Sequence, residues 1–191
     1  NKDLFDAFNL SDVAFSTNAD DIISDESIRI VIELVGGTTF AKDLILKALS
    51  AGKHVVTANK ALLAEHGPEI FSCAEENNVS VYFEASVGGG MPAIKTVREA
   101  MIGNDIKSLH CIINGTSNFI LSQMEKENLD FNTALSQAQE NGFAEADPTL
   151  DIGGGDTGHK VAILASLLYG KYVPYHKLPI EGITEITIDD I

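Results

Sequence analysis

Apolar positions along the chain follow two rhythms. Three β-rich runs, at residues 28–35, 54–57 and 80–87, alternate with segments whose apolar residues recur at helical spacing. Residues 40–51 place Phe40, Leu44, Ile45 and Ala48 on one helical face, with Gly52 as a stop. Residues 68–77 follow, with Pro68 at the first helical position, where its missing N–H does no harm. A strand–helix–strand–helix–strand order at this rhythm predicts parallel strands joined by right-handed crossovers. The first run, Ile-Arg-Ile-Val-Ile-Glu-Leu-Val, is almost unbroken in its apolar character, the pattern of a strand covered on both faces. The expected fold class is α/β, with part of a doubly wound, Rossmann-like parallel sheet.

After Gly90 the texture changes. Residues 91–101 read as a helix with Pro92 near its start, 107–114 as a strand, and 116–126 and 131–141 as helices. Residues 156–169 are apolar almost all round from Val161 to Leu168, which predicts a buried helix. Residues 183–188 resemble a final strand. The chain therefore divides near residues 86–90 into an α/β part, 1–86, and an α+β part, 87–191.

Charge narrows the classes of function. Against 13 Lys and Arg stand 28 Asp and Glu, a net charge of −15, and the cations form no stripe, so a nucleic-acid partner is not expected. No apolar run approaches the ~18–20 residues of a membrane span, so no membrane partner is expected either. Cys73 and Cys111 sit in apolar stretches without metal-ligand spacing, which fits a reduced, cytoplasmic protein. The chain opens on Asn1-Lys2-Asp3 without a Met and stops at Ile191, so we expect a piece of a longer protein.

Three places carry candidate chemistry. Gly36-Gly37-Thr38-Thr39 follows the first strand at its C-terminal end, the edge where open α/β sheets bind ligands. Glycines there let the backbone approach a phosphate or a flat ring, although a plain strand-to-helix turn has the same composition. Lys60 leaves the second strand at the same edge and can reach a ligand oxygen, or simply be solvated. Glu84, followed by the glycine-rich turn through Met91, offers a carboxylate and several carbonyls to a hard cation; a hinge with Glu84 paired locally is the plainer alternative. The densest cluster runs from Glu145 to Lys160 and includes Asp147, Asp151 and Asp156. Asp156 and Lys160 are four apart and share a helix face, and the apolar turns that follow argue against a solvated pair. His159 points to another side and reads as structural.

Taken together, Gly142-Phe143-Ala144, Asp147-Pro148, Asp151-Ile152, Gly154, Asp156 and Lys160 keep the spacing of a long signature, and the chain resembles the homoserine dehydrogenase family there. Glu33 through Gly37, Thr57 through Lys60, Glu84 through Pro92 and Asn114 through Asn118 agree in order. The resemblance implies interconversion of homoserine and aspartate 4-semialdehyde with NAD or NADP, on the route to threonine, methionine and isoleucine. It implies Lys160 as proton donor with Asp156 beside it. Glu145, Asp151, Asp156 and Lys60 would line the homoserine site, with Gly115 and Thr116 nearby. Gly36, Gly37, Thr38 and Lys60 would face the cofactor. Glu84, Val87, Gly89 and Met91 would hold a monovalent cation, usually sodium. A homodimer or larger assembly follows from the same likeness. Residues 1–86 would then be the later part of a dinucleotide-binding domain without its first βα unit, since no G-x-G-x-x-G follows any strand. Residues 87–191 would be a truncated substrate-binding, catalytic and dimerisation domain. Two other readings compete: a related Rossmann oxidoreductase, and a folded but inactive substrate-domain fragment.

Overall fold

The computed structural model describes residues 13–191. Helix α1 (Ala19–Ser24), capped by Asn18, leads into strand β1 (Ile30–Glu33). Helix α2 (Phe40–Ser50), strand β2 (His54–Thr57), helix α3 (Lys60–Glu76) and strand β3 (Val81–Tyr82) follow. The three strands are parallel in the order β1-β2-β3, with Val31 beside Val55 and Val55 beside Val81. That row is buried, together with Ile45, Ala48 and Leu49 of α2 and Leu62, Leu63 and Ile70 of α3.

The opposite face differs from expectation. Ile30, Ile32 and Tyr82 are more than half exposed, so β1 is covered on one side only. Two right-handed crossovers stepping in the same direction put both helices on the same face. Strand β3 is also shorter than the 80–87 run suggested, because the chain turns into a 3-10 helix at Glu84–Ser86.

Helix α3 begins eight residues before Pro68, which lies inside it. The true start is at Asn59, whose side chain accepts from Leu62 N. An interior proline leaves the carbonyl four residues earlier without its donor. Tyr172 fills that gap: its hydroxyl lies 2.8 Å from the Ala64 carbonyl and 3.3 Å from that of Glu65. Burial, with the Glu65 charge adding to it, raises the Tyr172 phenol above its usual pKa and keeps it a donor. Tyr172→Phe is expected to cost about 1–2 kcal/mol of stability, read from a denaturant midpoint, because the Ala64 carbonyl would lose its donor.

Beyond Ser86, helix α4 (Ala93–Lys95) runs into a π-helical turn at Thr96–Ala100. Helices α5 (Gly115–Glu127) and α6 (Phe131–Glu140) build a second core around Ile120, Met124, Ala134, Ala138 and Ala144. The short α7 (Thr149–Ile152) precedes α8 (Gly155–Tyr169), whose Ala162, Ile163 and Leu164 join the first core against α3. Neither expected strand of this half forms among the described residues. Residues 107–114 carry no ladder, and 183–188 make a single backbone bond to α7, Ile183 N to Ile152 O, before turning. A strand exists only when a neighbour completes its hydrogen bonds, and the described residues supply none here.

Candidate active site

The C-terminal edge of the sheet is organised by a buried carboxylate. Glu33 ends β1 at 1% exposure. Its Oε1 accepts from Val35 N and Gly36 N, and its Oε2 from Thr57 Oγ1 at 2.6 Å. Gly36 and Gly37 then turn at φ +79 and +76 with open space where a Cβ would stand. Only the backbone angle requires glycine at these two positions. Asn59 ties the turn to α3 by donating from Nδ2 to the Gly37 carbonyl at 2.7 Å. Together with Lys60, Leu150 and His159 these residues line a cleft of ≈ 320 Å³ between the sheet edge and helices α7 and α8.

Lys60, at the first turn of α3, reaches across that junction to Asp156 Oδ1 at 3.2 Å. Lys160, one turn along α8 from Asp156, donates to Asp156 Oδ2 and to the Ile113 carbonyl, both at 2.6 Å. Asp156 is buried and serves two lysines. Burial works to raise its pKa, but the hydrogen bonds from Lys160 and Asn114, with the charge of Lys160 and the bond to Lys60, outweigh it and hold the carboxyl below its ordinary value. Lys160 spends two of its three N–H bonds on these partners, leaving one for a bound molecule.

Asp151 joins the group through Asn114 Nδ2, which donates to Asp151 Oδ1 at 2.7 Å and to Asp156 Oδ2 at 2.9 Å. Thr116 Oγ1 lies 2.7 Å from the Phe143 carbonyl and 3.2 Å from Asp151 Oδ2, so its one proton serves either. Gly115 and Thr116 open α5 directly beside this network. Of the expected site residues, the fold brings together Lys60, Asp151, Asp156, Lys160, Gly115 and Thr116. Glu145 is exposed and only its backbone carbonyl is engaged, by Gln139 Nε2 at 3.2 Å. Thr38 sits on the same turn as Gly36 and Gly37, ahead of α2.

The glycines between α7 and α8 are close-packed. A Cβ at Gly154 (φ +80) would stand 2.9 Å from the Glu181 carbonyl oxygen, and one at Gly155 2.8 Å from Leu150 Cδ1. They serve close approach between α7, α8 and the C-terminal segment.

Glu84 closes on its own neighbourhood. Its Oε1 accepts from Ile94 N at 2.9 Å and its Oε2 from Lys95 N at 3.0 Å, which caps α4. The Gly88 and Met91 carbonyls accept from Met91 N and Ala93 N. Those of Val87 and Gly89 meet no donor among the described residues.

Sequence reasoning passed over Asn114, Asn59 and Glu33 as actors in the site. Each left a signal. Asn114 and Asn59 stand directly before helix starts, where an N-cap is expected, and Glu33 is the one acid inside the apolar run at 28–35.

His159 is buried, with its ring 4.1 Å from that of Tyr175. Its Nε2 is 3.7 Å from Glu65 Oε1, near enough to feel the charge but too far for a hydrogen bond. Burial is the main reason its pKa lies below the usual 6.5; Glu65 and Asp156 oppose this and Lys60 adds to it. The linkage follows in sign. The unfolded chain takes up the His159 proton first as pH falls, so its contribution is fully present above about 6.5 and is lost toward the lower folded value. His159→Leu is therefore expected to flatten the fall in denaturant stability between about pH 7 and 5. An unchanged slope in the variant would remove His159 from the pH response.

Comparison with known proteins agrees with this layout. The family model for the homoserine dehydrogenase NAD binding domain matches residues 5–84, and that for homoserine dehydrogenase matches residues 92–191. A curated homoserine dehydrogenase of Neisseria gonorrhoeae is 49% identical over 178 residues, 93% of this chain and 41% of that protein. The crystal structure of a homoserine dehydrogenase from Thiobacillus denitrificans superposes with a TM-score of 0.92 at 45% identity, covering 100% of this chain and 44% of that one. A hyperthermophilic archaeal homoserine dehydrogenase, solved in complex with NADPH, superposes at 0.82 with 28% identity, covering 97% of this chain and 58% of that one. The chain thus spans about two-fifths of its curated relatives' length. With both halves matched in order, and two lysines from either side of the junction meeting on one buried carboxylate, the chain belongs to the homoserine dehydrogenase family.

Proposed function

We propose that the full-length protein carrying this chain is a homoserine dehydrogenase, a cytoplasmic enzyme of threonine, methionine and isoleucine biosynthesis. It interconverts L-homoserine and L-aspartate 4-semialdehyde. One observation carries the reading: Lys60 from the sheet side and Lys160 from the substrate side converge on Asp156 beside the cleft floored by Gly36 and Gly37.

The residues at the sheet edge suit a nicotinamide cofactor, NAD or NADP. The turn at Gly36 and Gly37, with Thr38 next in the chain, presents side-chain-free backbone to the cleft at the two glycines, and Lys60 offers a cation at its rim. When bound, the cofactor supplies or accepts the hydride. The chain's own residues handle the charge that results. Lys160 donates a proton to the aldehyde oxygen as that oxygen becomes an alkoxide, and Asp156 holds the ammonium in place. Lys60 shares Asp156 and adds positive charge on the cofactor side. Carboxylates at Asp151 and Glu145 suit the substrate's ammonium group, with Gly115 and Thr116 adjacent; Glu145 would have to turn inward from its exposed position. Homoserine oxidation runs this in reverse and releases a proton, so alkaline solution should favour it.

Two finer features belong to the same reading. Glu84, with the carbonyls of Val87, Gly89 and Met91, would hold a sodium-like cation that fixes the joint between the halves. A carboxylate beside a glycine-rich turn with several carbonyls is the donor set a hard cation takes, while both Glu84 oxygens and the Met91 carbonyl already accept from backbone amides. A homodimer or larger assembly is supported by Leu109 and Ile112, exposed on the unpaired 107–114 segment. Steady-state assays of the full-length protein with L-homoserine and NAD(P)+ test the main proposal. More reduced nicotinamide should form as the solution is made alkaline; no homoserine-dependent reduction at any pH would end the proposal.

A further inference from the structure

We propose that Asn114 is a positioning residue of the reaction, the neutral bridge that lets Asp151 and Asp156 stand together at one site. The inference rests on the proposed homoserine dehydrogenase activity and deepens it.

Asn114 lies just ahead of α5 and is 8% exposed. Its Oδ1 accepts from Ser117 N at 2.7 Å, which caps the helix. That bond fixes which way the amide faces, because only the carbonyl oxygen can accept it. The NH₂ group is thereby directed to the two carboxylates, giving one hydrogen to Asp151 and the other to Asp156. Both acids are then held by one donor atom.

The two roles of Asn114 make different demands on the side chain. An N-cap accepts Asp, Ser or Asn almost equally well. The bridge requires two donated hydrogens and no negative charge, and among the small capping residues Asn alone provides both. An Asp here would set a third carboxylate against Asp151 and Asp156, and like charges at one site disfavour ionisation of all of them. The bridge also touches the acid–base group through a shared atom, since Asp156 Oδ2 accepts from both Asn114 and Lys160. Loss of the bridge therefore leaves Asp151 with only the shared Thr116 hydroxyl and loosens the carboxylate that orients Lys160.

Asn114→Ser and Asn114→Asp both keep the cap, so the helix and the fold should survive in each. In the full-length protein, thermal melting should place Asn114→Ser close to the parent, and Asn114→Asp folded but below it at neutral pH, with the gap closing as pH drops. Their kcat/KM for homoserine should fall by roughly 10², the scale of a misplaced reacting group. Cofactor affinity, read from quenching or enhancement of nicotinamide fluorescence, should stay within about twofold. The pH profiles then separate the variants. Asn114→Asp should recover part of its loss as pH drops, because a proton restores one donor, whereas Asn114→Ser should not. Folded variants within twofold of the parent in kcat/KM would leave Asn114 as a cap only and overturn the proposal. Loss in both variants without acid recovery in Asn114→Asp would overturn the charge argument. A Lys160→Ala control keeps the outcomes apart: if that variant is also fully active, the failure lies in the assignment of the reaction centre.

Discussion

Lys160→Ala in the full-length protein is expected to lower turnover by roughly 10²–10⁴ while leaving the protein folded, the usual contribution of a general acid. Geometry is the first reason. Lys160 is held at 2.6 Å by both Asp156 and the Ile113 carbonyl, so its ammonium is fixed in place and does not wander over the surface. Its side chain is 16% exposed, in a setting where a charge needs partners to persist. Chemistry is the second reason, since the oxygen of a reduced aldehyde must gain a proton as its charge develops. Asp156→Asn should lose less turnover, because Lys160 keeps the Ile113 carbonyl and its own proton. Glu145→Ala should raise KM for homoserine with a smaller change in kcat, as expected of a group that binds but transfers no proton. Lys60 provides the sharpest contrast. Near-normal turnover in folded Lys160→Ala together with abolished turnover in Lys60→Ala would move the acid to Lys60.

The second large effect belongs to Glu33. Glu33→Ala is expected to destabilise the chain by about 3–5 kcal/mol in chemical denaturation, because three donors would be left facing a cavity. Thr57 Oγ1, Val35 N and Gly36 N all depend on that carboxylate. Glu33→Gln should cost far less: the amide oxygen can still accept from the two backbone amides, and Thr57 can accept from the new NH₂. The Gln variant therefore isolates the effect on the cleft. If Glu33 shapes the Gly36–Gly37 turn for cofactor, its Gln variant in the full-length protein binds NAD(P) more weakly at nearly unchanged stability. Equal affinity in that variant would make Glu33 a purely structural residue.

How much of this was legible follows from what each feature depends on. Strand β2 and helices α2, α5, α6 and α8 were readable to within a residue or two, because periodicity records burial of a face and these faces are buried. The start of α3 was not, because Pro68 is a strong local stop signal and its tolerance depends on Tyr172, a residue about a hundred positions away. Residues 107–114 and 183–188 have strand composition, but composition cannot say whether a neighbour is there to pair. Within the site, the pairing of Asp156 with Lys160 was readable from i,i+4 spacing and the apolar turns that follow. Their link to Lys60 was not, since nothing in the spacing places the start of α3 opposite the start of α8. Asn114 stayed hidden for a related reason: its cap is a local signal, whereas its bridge to Asp151 and Asp156 spans 37 and 42 residues.

The central claim is that this junction moves hydride and proton between homoserine and a nicotinamide. Homoserine deuterated at its carbinol carbon tests it most directly, with the full-length protein and NAD(P)+ under single-turnover conditions and mass analysis of the nicotinamide. Reduced cofactor carrying the deuterium is expected, formed more slowly than from unlabelled homoserine wherever hydride transfer limits the step. Reduced cofactor without deuterium, or none formed at all, would contradict it.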